Sequence, residues 1–372
     1  VGGGQGAFIG AVHRMAAALD QQIELVAGCF SRDFENTKQT GKELDLSEDR
    51  LYKSYEEMAQ AEAKRSDGID FVSIVTPNKT HFPISKAFLD AGIHVVCDKP
   101  MTYSLEEAEE LVKLVEQSGL VFGLTHNYTG NPLVREARQY FSRGEMGTVR
   151  KAVVEYIQDA LAAPLEKQGN KQISWRTDPS QSGVAGTLGD VGTHALNLLE
   201  YVTGDEVTEL CADTTTFLPD RELEEDANVL VRLKGGGKGV ITVSQVAIGE
   251  ENGLRMKVYG SEGSVTWDQE NPNYLNLFRF GKPRQVLTRN QGYLSDESTS
   301  ISRVPPGHPE AFIEAFANVY LGAAEAIQHH IDGKPMKPSE YRCPTVYDGL
   351  RGMKFVTRAV ESAKAGGTWV KL

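Results

Sequence analysis

Val1-Gly2-Gly3-Gly4-Gln5-Gly6-Ala7-Phe8-Ile9-Gly10 runs without a break into Ala11-Val12-His13-Arg14-Met15-Ala16-Ala17-Ala18-Leu19, a stretch of helical composition. Gly2, Gly4 and Ala7 fit the G-x-G-x-x-G/A dinucleotide fingerprint. In that turn, backbone amides and a helix N-terminus reach a pyrophosphate with no side chain in the way. A glycine-rich turn also serves as a plain strand-to-helix corner, so the reading depends on the next element of the chain. Ile23-Glu24-Leu25-Val26-Ala27-Gly28-Cys29-Phe30 reads as a second strand, at the distance a βαβ unit requires. The turn is therefore read as nucleotide-binding, with Gly2, Gly4, Gln5, Gly6, Ala7, Phe8 and Ile9 as candidate contacts. A fingerprint comes after a strand and only Val1 stands before this one, so further residues upstream are expected.

Strand and helix alternate beyond it. Phe71-Val72-Ser73-Ile74-Val75-Thr76 is an apolar strand stopped by Pro77-Asn78, and Ile84 to Leu89 reads as helix ended by Gly92. His94-Val95-Val96-Cys97 is a further strand, stopped by Asp98-Lys99-Pro100. Ser104 and Glu107 make a capping box for a helix running to Gly119, and Val121-Phe122-Gly123-Leu124 is the next strand. This alternation predicts a Rossmann-type domain over 1–129, a parallel sheet with helices on both faces. After Thr129 the pattern changes. Val149–Gln158 alternates as a strand, a polar loop runs through Gln181, and a helix spans Asp190–Val202. Strand-like runs then come at Val207–Leu218, Ala227–Leu233, Gly239–Ala247 and Leu254–Tyr259, with Gly235-Gly236-Gly237 as a hairpin turn. Helices at Leu321–Ile331 and Val346–Ala365 close the chain. Residues 130–372 are thus expected to form an α+β domain with a large, mainly antiparallel open sheet.

A chain of 372 residues is long for one core, which agrees with two domains. The net charge of −12 argues against nucleic acid as a partner, because phosphate contacts dominate that affinity. An anionic cofactor stays compatible, since helix dipoles reverse the potential locally. No run is long and apolar enough to span a bilayer. Cys29, Cys97, Cys211 and Cys343 stand far apart without C-x-x-C spacing, which fits a reduced, cytoplasmic setting and gives a metal site no support.

Ligands of open α/β sheets bind beyond the carboxyl ends of the strands. Thr76-Pro77-Asn78 and Asp98-Lys99-Pro100 stand there. Pro100 fixes the chain direction where Lys99 points, making Lys99 a candidate catalytic cation, although a solvated lysine at a strand end reads the same way. In the helix from Asp190, the positions Asp190, His194, Asn197 and Tyr201 recur on one polar stripe beside the apolar Val191, Ala195, Leu198 and Val202. An acid one turn from a histidine orients the imidazole and suits a general base. The plainer alternative makes Asp190 an N-cap. His13, His81 and His126 take a structural reading first, and His329-His330 a solvated helix face. Trp175-Arg176 either lines a sugar site or pins its loop. The acidic loop 220–226 and the Pro305–Pro309 segment are candidates for shaping the substrate pocket.

In their ordered combination these residues resemble the Gfo/Idh/MocA oxidoreductases across nearly the whole chain. The resemblance rests on the opening turn, Thr76-Pro77-Asn78 with His81, Gly92-Ile93-His94-Val95, Asp98-Lys99-Pro100, and Gly189-Asp190-Val191-Gly192-Thr193-His194. It departs from the family pattern at Asp98, usually Glu, and at Asn197, where the family's G-x-H-x-x-D carries an acid. The resemblance implies Lys99, Asp190 and His194 as the catalytic set, with Asn127, Tyr128, Trp175, Arg176 and Asn197 on the substrate side. Thr76, Pro77, Asn78, His81 and Asp98 fall on the cofactor side. It implies hydride transfer between a nicotinamide and a secondary hydroxyl or ketone of a sugar, sugar derivative or cyclitol. In that reading His194 takes the hydroxyl proton and Lys99 steadies the oxygen. A homodimer or homotetramer through the C-terminal sheet is implied as well. After the second strand, Ser31 and Arg32 suit a 2′-phosphate, so NADP is expected over NAD. The competing readings are an NAD-dependent glycosidase using transient oxidation and a nucleotide-sensing regulator without catalysis.

Overall fold

The computed structural model describes residues 1–169 and 171–372. They group into two compact units, one of residues 1–126 with 316–350, the other of residues 127–315 with 351–372. The division read from the sequence lies at 129/130. Local periodicity carries no sign that residues 316–350 return to the first unit, because that grouping depends on distant packing.

In the first unit β1 (Phe71–Ile74), β2 (His94–Cys97) and β3 (Phe122–Leu124) form a parallel sheet in the order β1-β2-β3. The short apolar runs suit strands covered on both faces: Ile74, Val95, Val96, Cys97 and Leu124 are fully enclosed. Single parallel bridges extend the pattern, Gly2 with Val75 and Gly28 with Leu51. The expected strand Ile23–Phe30 is reduced to that bridge at Gly28. Among the described residues Ile23–Ala27 forms no ladder, and it borders a cavity of about 420 Å³ that Ile69–Ser73 also line. The helix Leu105–Ser118 starts as read: the Ser104 hydroxyl accepts from Glu107 N, and Gly119 ends it at φ 66°.

The second unit is built on a nine-stranded sheet. Its strands are β4 (Val149–Ile157), β5 (Val207–Thr215), β6 (Asp226–Leu233), β7 (Lys238–Ser244), β8 (Gly253–Gly260), β9 (Gly263–Asp268), β10 (Tyr274–Arg279), β11 (Gln285–Thr288) and β12 (Val370–Lys371). The order is β11-β10-β9-β8-β4-β7-β6-β5-β12, and every neighbouring pair is antiparallel except β4 with β7. Alternation sets the two faces. Val154, Val229, Ile241, Met256, Trp267 and Leu275 point into one core, beneath the helices Pro132–Ser142 and Thr193–Thr203. The stretch expected as loop through Gln181 instead holds the short helical turns Leu165–Gln168 and Lys171–Arg176 and the start of a third, Pro179–Ser182, and residue 170 lies outside the described residues. The helix expected at Leu321–Ile331 begins earlier, at Phe312. No helix among the described residues is long and apolar enough to cross a membrane.

Candidate active site

Glycine is required where the opening turn doubles back. Gly2, Gly3 and Gly6 hold φ of 84°, 73° and 81°. A Cβ on Gly10 would strike the Gly3 Cα, so this pair lets the helix Phe8–Ala18 pack directly on the turn. Ala7, the last position of the fingerprint, is the exposed residue before the helix. The helix start has no side-chain cap and no acid in its first turn, which leaves its amide end suited to an anion. Arg14 secures the turn by donating to the Gly3 carbonyl at 2.8 Å. Gln5 faces the next helix, Phe34–Glu43, where its amide nitrogen donates to Glu43 at 2.6 Å. Gly4 N donates to Phe30 O, which brings the turn beside Ser31 and Arg32. Arg32 is exposed, while Asp33 caps the Phe34–Glu43 helix by accepting from Glu35 N.

The end of β2 carries Asp98, half-buried Lys99 and a cis Lys99–Pro100 peptide. Asp98 Oδ1 accepts from Lys99 N at 2.9 Å and from the Thr125 hydroxyl at 2.8 Å, and lies 3.7 Å from His13 Nε2. Burial disfavours its charge, but His13, Lys99 and His81 outweigh that and hold the carboxyl below the usual range. His13 in turn bonds Tyr320 OH at 2.8 Å, and that hydroxyl meets Ser73 Oγ at 2.6 Å. His81, 1% exposed, engages both ring nitrogens with backbone carbonyls, Thr76 O and Pro100 O, each at 2.8 Å. It ties together the two turns that the sequence placed on the cofactor side. His126 is enclosed beside Lys99; burial first, and then the ammonium charge, lower its pKa to about 3, so the ring is neutral. Asn78 is buried in the turn after β1. His330, expected on a solvated face, instead packs edge-on against His94 with centroids 4.7 Å apart.

In the second unit, Asp190 lies in a π-turn, Leu188–Gly192, that leads into the helix Thr193–Thr203 carrying His194 and Asn197. Such turns concentrate at functional positions. Asp190 therefore does not cap the helix from outside. Its Oδ2 accepts from Gln245 Nε2 at 3.0 Å and lies 3.5 Å from Arg176 Nε, and the Arg176 guanidinium rests over the Trp175 ring. His194 is 6% exposed, its ring 4.9 Å from Tyr128 and 6.0 Å from Tyr156 between centroids. Burial raises the pKa of both tyrosines, so both stay protonated hydroxyls. Asn127 is enclosed, and its amide nitrogen has no hydrogen-bond partner among the described residues.

The two segments read as pocket-shaping have defined work. Glu224 O accepts from Thr187 N, and its carboxylate accepts from Gly186 N and Leu188 N, so it supports the start of the π-turn. Arg289 clamps the strap before the long helix by donating to Val304 O, Pro305 O and His308 O. Sequence reasoning missed Gly10, Thr125, Tyr156, Gln158, Gln245 and Asn252. Gln158 and Gln245 fall inside the strand runs read over Val149–Gln158 and Gly239–Ala247, and the structure ends those strands one residue before each glutamine.

Residues 1–126 match the oxidoreductase family with an NAD-binding Rossmann fold, and residues 134–266 match the GFO/IDH/MocA C-terminal domain. An uncharacterized oxidoreductase, YfiI of Bacillus subtilis (strain 168), is 34% identical over 100% of this chain and 95% of its own. A crystal structure of an inositol dehydrogenase homolog from Azotobacter vinelandii, complexed with NAD+, aligns at TM-score 0.96 and 38% identity, covering 100% of this chain and 96% of that one. The same homolog complexed with NADH and myo-inositol aligns at TM-score 0.93 and 37% identity, with the same coverage. The glycine turn, the lysine after β2 and the acid–histidine turn thus belong to an NAD-binding oxidoreductase, and this chain is a member of the Gfo/Idh/MocA family.

Proposed function

We propose that this chain interconverts a secondary hydroxyl and a ketone on a cyclitol, sugar or sugar derivative, with a nicotinamide dinucleotide as hydride partner. The observation that carries the reading is the Asp190 turn, an acid held by Gln245 and Arg176 one turn before an imidazole packed beside two tyrosines. The myo-inositol and NADH bound by the Azotobacter vinelandii relative support the substrate class. The uncapped helix start and the glycine turn fit a pyrophosphate, and the nicotinamide supplies the hydride chemistry. In oxidation His194 accepts the hydroxyl proton, Asp190 favours the resulting imidazolium, and Lys99 stabilises charge developing on the oxygen. Tyr128, Asn127, Trp175, Arg176 and Asn197 are the proposed substrate contacts.

NAD is the coenzyme that the relatives' complexes support. Ser31 and exposed Arg32 favour NADP as a second reading, since Asp33, the nearest acid, caps its helix. The four dispersed cysteines support a cytoplasmic setting. Exposed Leu230, Tyr259, Tyr274, Phe278 and Val286 on the nine-stranded sheet support a homo-oligomer through that sheet. Titration with NADH and with NADPH, followed by nucleotide fluorescence, tests the coenzyme. Tighter NADH binding supports the first reading and tighter NADPH binding the second; binding of neither contradicts the proposed function.

A further inference from the structure

Gln245 comes directly after β7, and Gln158 directly after β4, the strand parallel to it, so register brings the two amides side by side. Gln245 is 3% exposed. Its Oε1 accepts from the Thr187 hydroxyl at 3.0 Å. Its Nε2 donates to Asp190 Oδ2 at 3.0 Å and to Gln158 Oε1 at 3.1 Å. Only this orientation satisfies all three partners: reversed, its oxygen would face two other oxygens. Gln158 then donates to Asn252 Oδ1 at 2.6 Å, which also accepts from Tyr156 OH at 2.8 Å. Asn252 Nδ2 donates to Tyr128 OH at 3.3 Å, so the 2.6 Å bond between the tyrosines runs from Tyr128 to Tyr156. One arrangement of protons therefore joins Asp190 to the two rings packed against His194, and Gln245 is its branch point.

We propose that Gln245 is a positioning residue that sets the rotamer of Asp190 and, through it, the proton affinity of His194. This rests on the reading of Asp190 and His194 as the acid–base pair. A Gln245→Met substitution keeps the length and removes both donors. Gln245→Asn, one methylene short, serves where the methionine variant does not fold. Each is compared with Asp190→Asn and with the double variant in the full-length protein. The readouts are turnover of myo-inositol with NAD+, NADH affinity, and the His194 titration followed by NMR of 15N-histidine-labelled protein, assigned with His194→Asn.

The expected result for Gln245→Met is a fall in kcat of roughly tenfold or more with NADH affinity unchanged, and a shifted His194 titration. The double variant should then lose nothing beyond Asp190→Asn, because both act through one carboxylate. Kcat within about twofold of wild type together with an unmoved His194 titration would overturn the proposal. So would losses that multiply in the double variant, the mark of a merely structural role. If myo-inositol is not turned over, the His194 titration alone decides: a shift supports the proposal and no shift overturns it. If Asp190→Asn itself changes neither kcat nor the titration, the acid–base reading has failed rather than the positioning of Asp190.

Discussion

At the scale of single residues, backbone clearance governs the nucleotide turn. A methyl group on Gly10 meets Gly3 Cα, with Gly3 O and C at 3.0 and 3.1 Å, so neither side can yield by rotating a side chain. Gly10→Ala is expected to destabilise the chain by about 1–3 kcal/mol and to weaken NADH binding. Chemical unfolding and nucleotide titration check it, and unchanged binding would remove Gly10 from the turn's function. Lys99 and His194 were legible in the sequence as candidates because each announces itself locally, one at a strand end before proline, the other a helical turn after an acid. His13, Thr125 and Gln245 were not. Their roles come from partners far along the chain, Asp98 for the first two and Asp190 for the third. A lone histidine or glutamine carries no mark of such a partner.

At the scale of elements, the turn before the Thr193–Thr203 helix depends on an acid from elsewhere. Glu224 receives the amides of Gly186 and Leu188 at 2.9–3.0 Å, and burial raises its pKa. Removing the carboxylate leaves the buried Leu188 amide and the part-buried Gly186 amide without this acceptor. Glu224→Ala is therefore expected to cost about 1–3 kcal/mol of stability and to lower kcat with NADH affinity unchanged. Thermal unfolding beside steady-state kinetics measures both, and full activity would show that the π-turn holds without it. Most elements were readable from their periodicity: the parallel strands β1 to β3, the strands β4 to β8 and the Leu105–Ser118 helix. The strands β9, β10, β11 and β12 were missed, being short runs whose pairing partners alone identify them. The π-turn was read as ordinary helix, because the extra residue leaves no signature in polar spacing.

At the scale of the whole molecule, the two sheet types were legible as a change from alternating strands and helices to strands in succession. The return of residues 316–350 to the first unit was not, since grouping is a property of packing. Under the proposed function, this acidic chain of net charge −12 binds an anionic coenzyme through local devices, the amide end of a helix and a glycine turn. Coenzyme affinity and chemical turnover should therefore separate cleanly. The measurement that tests this most directly compares wild type with Lys99→Ala, using NADH fluorescence for affinity and polyol-dependent reduction of NAD+ for turnover. We expect affinity to stay within about twofold while turnover falls roughly 100-fold or more. Undiminished turnover in Lys99→Ala would contradict the assignment of Lys99 to the chemical step.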